Sequence, residues 1–202
     1  MISTSQRLAG QNLIRALGWR AEGERPQARK AVVIAAPHTS NLDGVLLVAF
    51  AWSFSLDIQW MVKQSVVRTP GLGPLVTRLG GVPVDRSQSR DLVGATVDAF
   101  ARRDSLLVVV SPPGTRSRRE HWKSGFYWIA WRAKVPIVCS FLDYRRRVGG
   151  FGPTLELSGD MARDMDRLRA FYGPIQGRHP ERMTPIRLER EPSCIEPYAR
   201  TD

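Results

Sequence analysis

The stretch Lys30-Ala31-Val32-Val33-Ile34-Ala35-Ala36-Pro37-His38-Thr39-Ser40-Asn41-Leu42-Asp43 decides the fold. Residues 31–36 form an unbroken apolar run with β-branched residues at its centre, the pattern of a strand buried on both faces. Pro37 stops it, because proline cannot donate to a sheet ladder. Ser40 with Asp43 three residues on resembles a capping box, with Asp in place of Glu, and predicts a helix through 44–55. A buried strand that feeds directly into a helix is the opening unit of an α/β layer fold.

Working outward, the same alternation continues. Residues 57–62 read as a second strand. Pro70, Gly71, Gly73 and Pro74 break the chain before a short helix at 75–79, and Gly80–Gly81 opens a strand at 82–84. Ser89 is placed to cap a helix over 90–103, with Leu92, Val93, Val97 and Phe100 at helical spacing. Residues 106–110 are a clear buried strand, and a Pro-Pro-Gly loop follows it. A helix at 125–134, a strand at 135–141, a turn at Gly149–Gly150 and a strand at 154–157 come next. Met161, Met165, Leu168 and Phe171 then recur at three and four residues within a helix over 160–172. Before all of these, Leu8, Leu13, Ile14, Leu17 and Trp19, with Arg7, Arg15 and Arg20 among them, read as an amphipathic helix within 1–20. Such a helix lies on a bilayer with its apolar face down, or packs on the domain's own core. The sum is a single α/β domain: a mixed, mostly parallel sheet covered by helices, with a short N-terminal amphipathic helix.

Length and composition bound the function. The chain has 202 residues, about one domain, and 43% of them are hydrophobic, enough for a real core. Mean hydropathy is −0.24, so neither a disordered chain nor a polytopic membrane protein fits. Thirty Lys and Arg against 19 Asp and Glu give a net charge of +11, which favours an anionic partner. All but four of the basic residues are Arg, the side chain suited to bidentate phosphate contacts. Cys139 and Cys194 form no C-x-x-C, and three histidines are too few and too scattered for an ordinary zinc site. The longest uncharged stretch, 44–56, has 13 residues, where about 20 are needed to cross a bilayer. Without a signal-peptide pattern, the expectation is a cytoplasmic protein, peripheral at the inner face of the membrane, that docks on anionic lipids.

Three clusters carry chemistry. His38 follows a buried strand at its C-terminal end, where α/β proteins place their ligands. If the loop folds His38 back over the helix start, Asp43 can accept Nδ1–H and leave Nε2 free as a base. That is the base and orienting acid of a triad without its nucleophile, suited to activating a hydroxyl brought by a substrate. Gly80-Gly81-Val82-Pro83-Val84-Asp85-Arg86 puts Arg86 just past another strand. Ser111-Pro112-Pro113-Gly114-Thr115-Arg116-Ser117, with Lys123 close behind, supplies backbone N–H groups, a hydroxyl and cations fit for a phosphate. Taken singly, each basic cluster also reads as a solvated surface loop.

In order, His38-Thr39-Ser40-Asn41-Leu42-Asp43, Gly81-Val82-Pro83-Val84-Asp85-Arg86, Pro112-Pro113-Gly114-Thr115-Arg116 and Val135-Pro136-Ile137 resemble the four motifs of the glycerolipid acyltransferase family, whose best-known members are the 1-acyl-glycerol-3-phosphate acyltransferases. The resemblance runs from about residue 32 to 138. It implies a general base at His38 with Asp43 as its partner, an acceptor phosphate held by Arg86 and Arg116, and an acyl-donor region at Pro136; the loop's own chemistry adds Gly114, Thr115 and Lys123 to the phosphate site. It further implies acyl-CoA or acyl-acyl carrier protein as co-substrate, with no metal or cofactor. The chain then divides into a membrane-facing segment (1–30), an acyltransferase-like domain (31–172) and a Pro/Arg-rich C-terminal tail (173–202). One departure stands out: the family's third motif carries Glu where this sequence has Pro113. A catalytically weak or inactive lipid-binding member of the same fold is the competing expectation. A nucleic-acid binder, suggested by the charge and by Trp122, Tyr127, Trp128 and Trp131, lacks any supporting signature.

Overall fold

The strand that follows from the apolar run at 31–36 is the centre of the molecule. The structure, a computed structural model, describes residues 2–63, 67–84 and 89–194, by backbone alone at 61–63, 72, 83–84 and 89–91. Among them the elements are α1 (Thr4–Ala16), β1 (Arg20–Gly23), β2 (Lys30–Ala35), α2 (Leu42–Ser53), β3 (Ile58–Lys63), α3 (Leu72–Arg78), β4 (Gly81–Val84), α4 (Ser89–Ala101), β5 (Leu106–Val110), α5 (Gly125–Ala133), β6 (Ile137–Asp143), β7 (Val148–Leu155) and α6 (Met161–Tyr172). Seven strands make one sheet in the order β1-β7-β6-β2-β5-β3-β4. All neighbours pair in parallel except β6 with β7, which is antiparallel.

β2 alternates its side chains between two cores, as the two-residue period of a strand requires. Val32 and Ile34 meet Phe126, Tyr127, Met165 and Leu168 from α5 and α6 on one face. Ala31 and Val33 meet the opposite core, with Ala51 of α2 and Phe151 of β7. The aromatic residues considered for nucleic acid are core instead: Trp122 and Tyr127 are buried, and Trp128 and Trp131 pack against the same cluster.

α1 packs on α2. Gly10 makes the approach possible, since a Cβ there would sit 2.5 Å from the Ala49 carbonyl oxygen, and Ile14 is buried beside it. Leu8, Leu13 and Leu17 remain exposed. The helix thus does what the core-packing alternative expects and still presents leucines outward.

Three local readings need correction. β1 lies in the stretch read as a helix end and a turn-like link; it is short and exposed, so it carries no alternating pattern to read. Gly149 and Gly150 are strand residues of β7 rather than a turn. A Cβ on Gly149 would meet Phe50 at 2.6 Å and Leu142 at 2.7 Å, so glycine here lets helix and neighbouring strand close in. The turn comes earlier, between Asp143 and Val148. Finally, α2 begins at Leu42, with Asn41 at its N-cap and no side-chain cap bond. Ser40 and Asp43 do interact, but the serine hydroxyl donates to the carboxylate and caps no helical N–H.

Candidate active site

β6, β2 and β5 are adjacent and parallel, so the segments after them emerge at one edge of the sheet. After β2 comes the His38–Asp43 loop, entered through a cis Ala36–Pro37 peptide. After β5 comes the Ser111–Lys123 loop. After β6 comes Tyr144.

The loop folds back over the start of α2 as the spacing of His38 and Asp43 requires. Oδ2 of Asp43 accepts the backbone N–H of Thr39 at 2.7 Å and of Ser40 at 2.8 Å. His38 Nδ1 lies 3.4 Å from the same oxygen. Oδ1 accepts the Ser40 hydroxyl at 2.8 Å and the Tyr144 hydroxyl at 2.6 Å. Asp43 is 3% exposed and His38 26% exposed, so the carboxylate is buried behind an imidazole that reaches solvent. Burial acts to raise the Asp43 pKa, and the hydrogen bonds from His38, Tyr144 and Ser40 outweigh it. The carboxyl is held down at about 2, against 3.8 ordinarily. It is therefore a fixed anion facing Nδ1, which leaves Nε2 as the nitrogen for chemistry.

The third-motif loop is pinned at both ends. Gly114, at φ +68°, closes a turn by donating to Ser111 O at 2.9 Å, and Lys123 N–H donates to Pro112 O at 3.0 Å. The Lys123 side chain then passes over the turn, with Nζ 3.8 Å from where a Gly114 Cβ would be. The Thr115 hydroxyl accepts from Ser117 N–H at 3.3 Å. Arg116 donates through Nη1 to the Asn41 side-chain oxygen, which ties this loop to the His38 loop. Gly114, Thr115, Arg116 and Lys123 thus share one loop, and Arg116 bridges to Asn41, between His38 and Asp43. Pro113 is buried, and with His38 it lines an opening walled by Pro37, Trp122, Tyr172 and the later residues Arg182, Met183, Thr184 and Ile186.

Two expected site residues remain. Arg86 lies outside the described residues. Pro136 precedes β6, and its carbonyl accepts Val32 N–H at 3.0 Å, which places it at the opposite end of the strand from His38. Four residues of strand separate the two levels, about 13 Å. Among the described residues no group of three or more His, Cys, Asp or Glu side chains is placed to hold a metal ion. No helix among them is long and apolar enough to cross a membrane.

Sequence reading missed Tyr144 and the wall formed by residues 177–188. The wall is held by His179 N–H on the Thr39 hydroxyl at 3.2 Å, Arg119 N–H on the Thr184 hydroxyl at 3.0 Å, and a bridge between Trp122 and Leu188. A signal for Tyr144 was available: it follows a strand whose C-terminal end shares the edge of His38. Ending that strand at 141 hid it.

The chain is similar to known proteins in family and in fold. A family model described as Acyltransferase matches residues 19–142, more than half of the chain. Among solved structures, the 1-acyl-sn-glycerophosphate (LPA) acyltransferase PlsC from Thermotoga maritima is similar, with a TM-score of 0.54 and 17% identity over 84% of this chain and 74% of that one. At that identity the likeness carries the fold. No curated protein matches the chain. Tyr144 and the 177–188 wall lie beyond the stretch the family model covers.

Proposed function

The chain belongs to the acyltransferase family, and on that premise we propose that it moves a fatty acyl group from an acyl thioester to the hydroxyl of a lysophospholipid or glycerol-phosphate-type acceptor. The observation that carries this reading is His38 Nδ1 facing a buried, anionic Asp43 while the ring reaches an opening. Nε2 takes the acceptor's hydroxyl proton as the oxygen attacks the thioester carbonyl. The C–O bond forms, the C–S bond breaks, and the imidazolium returns the proton to the departing thiolate, giving an ester and a free thiol. Asp43 stabilises the imidazolium that forms between the two steps. A positioned base of this kind contributes about 10²–10⁴ in rate.

Arg116 and Lys123 hold the acceptor's phosphate, with Gly114 and Thr115 shaping the turn beneath it. Arg86 supplies a further guanidinium in this reading. Pro136, far from His38 along the strand, would meet only the distal end of a long acyl chain. The acyl carrier is coenzyme A or acyl carrier protein. The exposed Leu8 and Leu13 of α1, Leu17 at its C-cap and the basic surface dock the protein on anionic lipid at the inner face of the membrane.

One observation favours a second reading. Pro113 fills the wall beside His38 where the family has a carboxylate, which suits a weak or inactive lipid-binding member. A panel of lysophospholipid and glycerol-phosphate acceptors, offered acyl-CoA or acyl-acyl carrier protein and followed by mass spectrometry, separates the two. New ester with loss of thioester supports transfer. Lipid binding with no ester from any pair supports the binder.

A further inference from the structure

Asp43 has two oxygens, and only one of them faces His38. Oδ2 is fixed by the loop's own N–H groups; Oδ1 accepts the Ser40 hydroxyl at 2.8 Å from within the loop and the Tyr144 hydroxyl at 2.6 Å from outside it. We propose that Tyr144 is a positioning residue for the His38–Asp43 pair, donating to Oδ1 and so holding the carboxylate as an anion aimed at Nδ1. The proposal rests on the reading of His38 as the base.

Tyr144 is itself held by its backbone and by its ring. Its backbone N–H donates to Gln176 O at 2.9 Å, which anchors it to the segment after α6. Its ring meets Trp19 edge-on at 4.8 Å and 89°, and Trp19 also meets Phe50 of α2 at 6.2 Å. Trp19 N–H is bonded to Ile14 O, so the tyrosine is braced by the end of α1. Its hydroxyl is therefore brought to Asp43 by packing from elements outside the His38 loop. The charged groups that act on it are Asp43 and Arg178. Burial, and the hydrogen bond to the Asp43 carboxylate, push the phenol well above its ordinary range against the smaller opposing effects of Ser40 and Arg178. The phenol stays protonated and donates, and the carboxylate accepts. A short hydrogen bond to an ion in a dry place is the strong kind.

The direct test is the titration of the Asp43 carboxyl, followed by carbon NMR, in the wild type, in Tyr144→Phe and in a protein with fluorotyrosine at 144, together with acyl-transfer kinetics. Tyr144→Phe deletes one oxygen and should raise the Asp43 titration by about one unit. It should lower kcat about tenfold, with the KM for the acceptor within twofold. Fluorotyrosine keeps the shape and strengthens the donor, so it should move the titration down while the protein melts as the wild type does. It also decides the matter if Tyr144→Phe does not fold. An Asp43 titration that neither change moves overturns the proposal, as does a Tyr144→Phe loss of activity that only follows the loss of folded protein. If the wild type transfers no acyl group to any acceptor, the proposed function fails on its own, and the titration still decides whether Tyr144 holds Asp43.

Discussion

Asp43→Asn keeps the shape of the side chain and removes its charge, which makes it a sharp test of the buried anion. An amide can still serve most of the partners. Turned over, its oxygen takes the N–H groups of Thr39 and Ser40, and its nitrogen donates to the hydroxyls of Ser40 and Tyr144, which rotate to accept. The variant should therefore fold. What it loses is the preference of the folded state for the ion. The carboxyl titrates at about 2 in the folded chain against 3.8 ordinarily. That difference favours the folded state by roughly 2 kcal/mol at neutral pH. Because the folded pKa is the lower one, the stabilisation is complete above pH 5. It is lost as the pH falls through 3.8 towards 2. By pH 3 about 1 kcal/mol of it has gone. Urea unfolding of both proteins at pH 7 and at pH 3 reads this directly. The variant should be weaker by roughly 2 kcal/mol at pH 7 and by about half of that at pH 3. A gap that is the same at both pH values, or absent at pH 7, refutes the reasoning. Activity should fall in the same variant even where folding is complete, because an amide cannot stabilise the imidazolium.

Two other outcomes are expected. Pro113→Glu places a carboxylate in the wall beside His38 and should speed transfer to a phosphate-bearing acceptor more than it changes phosphate affinity. Thermal melting measured alongside should show a loss of about 0.4–1 kcal/mol from the vacated proline; a folded variant that turns over every acceptor no faster would show that the carboxylate is not what limits the protein. Pelleting with anionic vesicles should be strong at low salt and weaken as salt rises, with neutral vesicles bound less and Leu13→Gln with Leu17→Gln weaker on both; equal binding to both vesicle types would reject electrostatic docking.

The residues that made the fold legible are those with a pattern. The run at 31–36 and the run at 106–110 are buried on both faces and read as strands without help, and both are strands of the sheet centre. Edge strands lack that signal. Every residue of β1 is exposed, and its strand partner is β7. The Gly149–Gly150 pair misled for a related reason: glycine marks either a turn or a close approach, and only the position of Phe50 distinguishes them. In the site, the five-residue step from His38 to Asp43 was readable because a single short link joins the His38 loop to the first turn of α2, which holds Asp43. Tyr144 was not, because it reaches Asp43 across 101 residues of chain through the pairing of β6 with β2. The wall at 177–188 was hidden for the same reason. It meets Thr39 through a hydrogen bond and Trp122 through an isolated bridge, between loops distant in sequence, which no periodicity announces.

The proposed function turns on His38 removing the proton from an acceptor hydroxyl. It is tested most directly by His38→Ala, assayed for acyl transfer from acyl-CoA or acyl-acyl carrier protein to 1-acyl-glycerol-3-phosphate, with melting measured on the same sample. His38 sits in a loop and is partly exposed, so its loss should leave the melting transition in place. Transfer should fall by about 10²–10⁴. A folded His38→Ala protein that transfers the acyl group at the wild-type rate would contradict the account.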